Sequence, residues 1–333
     1  AVEATVARQV AVGLDVISDG ETSKISYATY VKDRYTGFEG DSPRNAPADL
    51  KRFPTFLERL AKAGGTPQYA RPMCTGPVAV ADGHAALDAD IARMKTAMAA
   101  AGATEGFMNA ASPGVVSLFL QNAHYPSREA YLAALAEAMR EEYRRIVEAG
   151  LMLQLDCPDL ALSRHMLFAD LSDAEFVAIA EAHVEALAHA LDGIDPGRVR
   201  VHICWGNYEG PHVCDIEMAE VFPVLMKLPA RQLLFETANP RHGADWQVFD
   251  ARRAEIPDDM ILIPGVLDTT TNFVEHPELV AERIRRFTGI VGAERVIAGT
   301  DCGFGTFAGF GAVDPEIAWA KLEALVAGAA RVA

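Results

Sequence analysis

Arg198-Val-Arg-Val-His-Ile-Cys204 is the stretch on which the reading of the fold turns. It is short, rich in β-branched residues and bounded by turn residues, as a strand is. Side chains at i and i+2 of a strand point to one side, so His202 and Cys204 share one space at its C-terminal end. Working outward, seven further runs read as strands: Leu14–Asp19, Tyr69–Thr75, Gly106–Ala111, Leu151–Cys157, Gln232–Glu236, Met260–Leu267 and Arg295–Thr300, with Val199–Trp205 among them making eight. Amphipathic stretches with helix punctuation lie between. Ser127 precedes a helix that runs to Gly150, Ser172-Asp-Ala-Glu175 is a capping-box pattern, and Pro277 stands where a first helical turn begins. Strand–helix alternation of this kind predicts an α/β chain with a parallel sheet.

Two observations favour a closed sheet over an open one. No Gly-x-Gly-x-x-Gly turn follows an early strand, as an open nucleotide-binding sheet would usually need. Polar residues also collect at many strand ends: Asp19 and Glu21, Asp156, His202 and Cys204, Glu236, Asp268, then Asp301 and Cys302. Gathering functional residues on many C-terminal strand ends is the habit of a single (β/α)8 TIM-type barrel, which is the expected fold. The stretch 33–68 is rich in Pro, Gly and charge with little strand pattern, and reads as a loop or helical insertion over one end. One domain spanning 1–333 is expected.

Composition narrows the function. Half of the 333 residues are apolar and 23% are charged, so the chain has the material for a sizeable core. The net charge of −16 argues against nucleic acid or an anionic membrane surface as partner, since both need basic footprints. No apolar run approaches the roughly 18 residues of a membrane span. Ala1–Gln9 reads as mid-helix with no signal peptide, and an odd count of five cysteines fits reduced thiols, so a cytoplasmic location is expected.

The cysteines also suggest a metal. Glu236 closes the strand after His202 and Cys204, and Cys302 follows the last strand. Nitrogen, sulfur and carboxylate donors together suit zinc, and ligands spread over three strand ends favour a catalytic site over a structural one. Spacing alone leaves alternatives open. A cysteine in an apolar setting is usually a small buried hydrophobe. His212-Val-Cys214 repeats the spacing in a turn-rich segment, and Cys157 also ends a strand, beside Asp156. Cys74 reads as packing.

Taken in order, His202-Ile-Cys204, Phe235-Glu236-Thr237, Gly265-Val-Leu-Asp268 and Thr300-Asp-Cys302-Gly303 resemble the catalytic half of cobalamin-independent methionine synthase. Gly13-Leu-Asp-Val-Ile-Ser-Asp-Gly-Glu21 and Gln154-Leu-Asp156-Cys-Pro158 extend the resemblance over nearly the whole chain. Uroporphyrinogen decarboxylase shares this barrel superfamily, and epoxyalkane:coenzyme M transferase is a related single-barrel member. The resemblance implies that His202, Cys204, Glu236 and Cys302 bind Zn2+, and that Glu21 and Asp156 hold the polar end of a thiol substrate. Asp268 and Asp301, with His276, become candidates for proton transfer. The family's first barrel strand carries a Gly-Ser pair that nothing here matches, so the barrel is expected to lack that strand before Ala1. Tyr69–Thr75 then becomes an accessory hairpin. Thr270 stands where the family has a histidine associated with folate as donor, which puts a folate donor in question.

The function so implied is a zinc-dependent thiol S-alkyltransferase, most directly methyl transfer to a thiol such as homocysteine. The alternative is opening of an epoxide by a zinc-held thiolate of the coenzyme M type. The expected partners are a small-molecule thiol acceptor and an alkyl donor (folate, corrinoid protein or epoxide), and a homo-oligomer is left open. A metal-free decarboxylase-like lyase would need an arginine cluster at the strand ends, which is not seen. A non-catalytic zinc protein would need a metal with no exchangeable ligand.

Overall fold

Short apolar runs capped by turns become nine strands among the described residues. In chain order these are β1 (Val16–Ser18), β2 (Tyr35–Glu39), β3 (Met73–Val80), β4 (Glu105–Ala111), β5 (Met152–Asp156), β6 (Val199–His202), β7 (Gln232–Phe235), β8 (Ile261–Leu267) and β9 (Gly299–Thr300). The computed structural model describes residues 1–43, 46–64, 70–309 and 311–332. Seven strands form one sheet in the order β1-β4-β5-β6-β7-β8-β9, with every neighbouring pair parallel. Helices connect them, and the sheet curls in the manner of a (β/α)8 barrel. Its seam falls between β9 and β1. There Ser26 bridges to Phe307, the Ala308 N–H donates to the Ile25 carbonyl, and Arg8 pairs with Glu316 at 2.7 Å.

The helices begin where their caps predict. The Ser127 hydroxyl accepts from the Ala130 N–H ahead of helix Arg128–Glu148. Ser172 and Glu175 form a complete capping box ahead of helix Asp173–Ala190.

The stretch 33–68 needs a correction. It contains helical segments as expected, Val31–Arg34, Ala48–Arg52 and Pro54–Gly64, but it also holds β2. Residues 44–45 and 65–68 lie outside the described residues, as does Tyr69 of the Tyr69–Thr75 run. β2 pairs antiparallel with β3, and the two stand apart from the barrel sheet, so Tyr69–Thr75 overlaps an accessory hairpin. A bulge between Thr36 and Phe38 breaks the alternation that would mark β2 as a strand. Gly37 occupies the bulge at φ 93°, and a Cβ there would lie 2.6 Å from the Pro77 carbonyl oxygen. Only glycine fits, and in the sequence glycine reads as a turn.

Strands β5, β6 and β7 are buried along their whole length, as expected for a parallel sheet covered by helices. Their polar residues form rows facing the barrel interior. Gln154, Arg200 and Gln232 lie side by side in register. The Arg200 Nε donates to Gln232 Oε1 at 3.0 Å, and the guanidinium sits 4.8 Å over the Phe107 ring. Burial draws Arg200 down to about 10. Two residues further along, Asp156 and His202 are again register partners. One more step carries Cys204 past the end of β6 and Glu236 past the end of β7. The period-2 rule thus delivers the candidate ligands to the mouth of the barrel.

On its outer side β7 is anchored by aromatic packing. The buried Phe235 ring stacks on Phe249 at 4.4 Å and meets Phe287 edge-on at 5.4 Å. Phe235→Ala is expected to lower stability by about 3–5 kcal/mol through the cavity it leaves. Urea denaturation checks this, and a loss below about 1 kcal/mol would contradict the packing role.

Candidate metal centre

The ligand atoms of His202, Cys204 and Cys302 all lie within 4.8 Å of one another, and the three residues are buried. Glu236 joins them, its Oε1 lying 3.9 Å from the Cys302 sulfur. The four residues singled out as ligands therefore meet at one place. His202 is oriented by a carboxylate: its Nδ1 lies 3.0 Å from Asp156 Oδ1, which turns Nε2 toward the segment carrying Cys302. A carboxylate behind the distal nitrogen of an imidazole is the usual support of a metal-binding histidine. Glu236 is held on both oxygens, Oε1 accepting from the Trp205 N–H at 2.8 Å and Oε2 from Asn239 Nδ2 at 2.6 Å.

The electrostatics suit a cation. The Cys302 thiol is pushed well above its usual range by Cys204 at hydrogen-bonding distance, with burial and Glu236 adding to this. Burial likewise raises Glu236. Burial opposes a charge on His202, but Asp156, Cys204 and Glu236 outweigh it and lift the imidazole to about 9. Two thiols and a carboxylate, anionic once ionised, have been packed together out of water, and a divalent cation is a partner that would relieve their repulsion.

Asp301 braces this arrangement. Its Oδ1 accepts from the N–H groups of Thr237 (2.9 Å) and Ala238 (2.8 Å), and its Oδ2 from the N–H of Asn239 (2.9 Å) and from Asn239 Nδ2 (3.2 Å). Burial and the Glu236 carboxylate push Asp301 up to about 7, while the backbone donors hold it down. Four N–H donors on one carboxylate favour the ionised form. Room for it exists because position 265 is glycine: a Cβ there would stand 2.1 Å from Asp301 Oδ1.

Asp268 is also engaged, accepting from the Thr270 N–H and hydroxyl and from the Thr271 hydroxyl, each at 2.8 Å. Glu21 adopts a left-handed φ of 51°, with its N–H donating to Asp19 Oδ1 at 2.9 Å. Its side chain is 27% exposed and pairs with Lys24 Nζ at 3.1 Å. Burial raises Glu21, and Lys24 opposes that rise while Asp156 adds to it. The other Asp156 oxygen accepts from Asn109 Nδ2 at 3.0 Å.

A cavity of about 420 Å³ opens on Cys302, Glu236, Asp301, Asp268 and Arg241. A second, of about 540 Å³, shares Asn207 and Thr269–Thr271 with it and extends to Phe273 and Phe304.

The remaining sequence candidates divide. Cys157 is buried with its N–H on the His202 carbonyl, and Cys74 is buried in the core. Cys214 does not join His212 in a cluster; Asp215 and His242 do. His276 caps the helix Pro277–Val291, its Nδ1 accepting from the Glu278 N–H. Sequence reasoning missed the clamps on Glu236. Asn239, three residues beyond Glu236 in a turn-rich segment, was a signal for one of them.

A sequence model of the family described as cobalamin-independent synthase, catalytic domain, matches residues 1–315. The chain belongs to this family. Members of the cobalamin-independent synthase family are transferases. Among curated relatives, the 2-hydroxypropyl-CoM lyase of Xanthobacter autotrophicus is 25% identical over 229 residues, 62% of this chain and 55% of that protein. A methionine synthase of Saccharolobus solfataricus is 23% identical over 322 residues, covering 95% of this chain and 78% of that protein. For a methionine synthase of Saccharolobus islandicus the figures are 26% over 221 residues, 65% and 55%. The chain thus spans about half the length of two of these relatives. The fold matches a B12-independent methionine synthase from a Shewanella species, solved with selenomethionine, at a TM-score of 0.76 and 21% identity, covering 100% of this chain and 86% of that one. No helix among the described residues is long and apolar enough to cross a membrane.

If these residues hold a metal, Asp156→Asn will weaken its binding by about 10–100-fold, because the support of His202 is lost. Chelator competition measures it, and unchanged affinity would contradict the orienting role. His202 and Cys302 carry protons at neutral pH in the metal-free protein, so metal uptake will release protons and affinity will fall as pH is lowered. Metal addition to weakly buffered apo-protein should therefore acidify the solution, and less so for Cys302→Ser.

Proposed function

We propose that the chain is a zinc-dependent thiol S-alkyltransferase built as one barrel domain, which transfers a methyl group to a thiol such as homocysteine. The observation that carries this reading is the convergence of His202, Cys204, Cys302 and Glu236 at one place, with Glu236 and Cys302 lining an open cavity. Two thiolates, a carboxylate and a neutral imidazole make an N/S/O donor set of the kind that suits zinc. Zinc bound there would supply a deprotonated substrate thiol at neutral pH, where a free thiol of pKa near 8.5 stays mostly protonated.

The chain's own residues supply the rest. Asp156 fixes the His202 tautomer, keeping the proton on Nδ1 and leaving Nε2 as the donor atom. Glu236 would be the hard oxygen donor of the set, and the one best placed to yield to an incoming sulfur. Its oxygens already have the Trp205 N–H and Asn239 amide as partners, so withdrawal strands no charge. Glu21, one-quarter exposed beside Lys24, receives the ammonium group of an amino-acid thiol. Asp156 reinforces that acidic field. Asp268 and Asp301, each satisfied by several donors, orient the cavity loops. In the transfer the sulfur–carbon bond forms as the bond from carbon to the leaving group breaks, and that group departs with the electron pair. The Thr270 hydroxyl, committed to Asp268, favours a donor that does not need a histidine at this position.

Epoxide opening by a coenzyme M-type thiol is the second reading. The likeness to 2-hydroxypropyl-CoM lyase and the presence of Arg241 on the cavity wall, where a sulfonate would reach it, favour it.

Zinc analysis and X-ray absorption test the proposal together. The expected outcome is one zinc bound by the His202–Cys204–Glu236–Cys302 set, lost in Cys302→Ser, and an added sulfur neighbour of that zinc when homocysteine is supplied. A response to coenzyme M alone selects the second reading. If no thiol adds sulfur, the alkyltransferase reading fails.

A further inference from the structure

A second buried cluster lies beside the same cavity. Asp215 Oδ2 is 2.8 Å from His212 Nδ1 and 3.0 Å from His242 Nε2. These three ligand atoms fall within 4.8 Å of one another and all three residues are buried. The Asp215 side chain is fully inaccessible. Each member of the triad is supported from behind: His242 Nδ1 by Asp245 Oδ2 at 2.9 Å, His212 Nε2 by the Tyr208 carbonyl at 3.2 Å, and Asp215 by His165, whose Nδ1 is 3.0 Å from Oδ1. The imidazole planes are set by ring stacking, His242 against Trp205 at 4.2 Å and His212 against Tyr208 at 4.5 Å.

We propose that His212, Asp215 and His242 form a second metal site for a divalent transition ion, distinct from the thiolate-containing set. The proposal goes beyond the alkyltransferase reading and does not depend on it. Support behind every one of the three donors is the pattern that orients metal ligands. Two imidazoles and one carboxylate, with no thiolate, select a borderline divalent ion such as Fe2+, Co2+ or Zn2+ and leave coordination positions open. The cluster borders the cavity through His212, which lines it together with Glu236 and Cys302.

Two observations weigh against a self-contained network of hydrogen bonds. His165 is only 1% exposed, yet its Nε2, on the side away from Asp215, has no hydrogen-bond partner among the described residues. Buried polar atoms without partners are rare in folded proteins. His212 is also held at a left-handed φ of 51°, a strained conformation for a residue other than glycine. The motif His212-Val-Cys214 pointed to this segment, but the histidine's companion is Asp215, one residue further on.

Cobalt and zinc titrations of the apo-protein test this. The expected wild-type capacity is two ions per chain. In Cys204→Ser/Cys302→Ser one ion remains, and with Co2+ it shows no thiolate-to-metal charge-transfer absorption. His242→Ala and Asp215→Asn lose that ion and keep the thiolate absorption. Should either of these variants misfold, the cysteine double variant, whose triad is intact, decides alone. If that variant binds no Co2+ or Zn2+, or if His242→Ala still binds two ions, the cluster is a protonated charge network only and the proposal falls. Failure of the thiolate site shows separately, as a wild-type protein without thiolate absorption.

Discussion

The mouth of the barrel depends on how one buried carboxylate is satisfied. Asp301 leaves the last strand and accepts three consecutive backbone N–H groups, those of Thr237, Ala238 and Asn239, from the loop that follows Glu236. A carboxyl group in a dry interior requires such donors, and a loop with three N–H groups in succession requires such an acceptor. Each requirement meets the other. The contact locks the position of Cys302, next in sequence to Asp301, against that of Glu236, next to Thr237. Gly265 on the intervening strand leaves the gap through which the contact is made.

Rigidity beneath and softness above follow from this. His202 and Cys204 come from one strand and its extension, so their relation is set by backbone geometry alone. Glu236 and Cys302 are set by a hydrogen-bonded brace between loops, and Glu236 has protein donors of its own. One pair of candidate ligands is thus held by a strand, and the other by side-chain and loop hydrogen bonds that bind Glu236 and Cys302 to each other's neighbourhood.

Much of this was legible in the sequence, for definite reasons. The i, i+2 relation of His202 and Cys204 is a property of any strand, and the run of apolar residues before them identifies the strand. Glu236 could be placed because it closes a strand-like run, and Cys302 because it comes two residues after one. β2 was hidden because its bulge needs Gly37, and a glycine in the middle of so short a run reads as a turn. The His212–Asp215–His242 cluster was hidden because its members sit in irregular loops, where no period links 212 to 242. The double duty of Asp156 was also out of reach: a carboxylate at a strand end shows that it faces the mouth, but not which neighbour claims it.

The polar row of Gln154, Arg200 and Gln232 has a further consequence. It fills the barrel two residues below Asp156 and His202, with the guanidinium pressed on Phe107. The barrel is therefore stoppered from beneath, and anything that reaches Cys302 along its axis arrives and departs through the mouth.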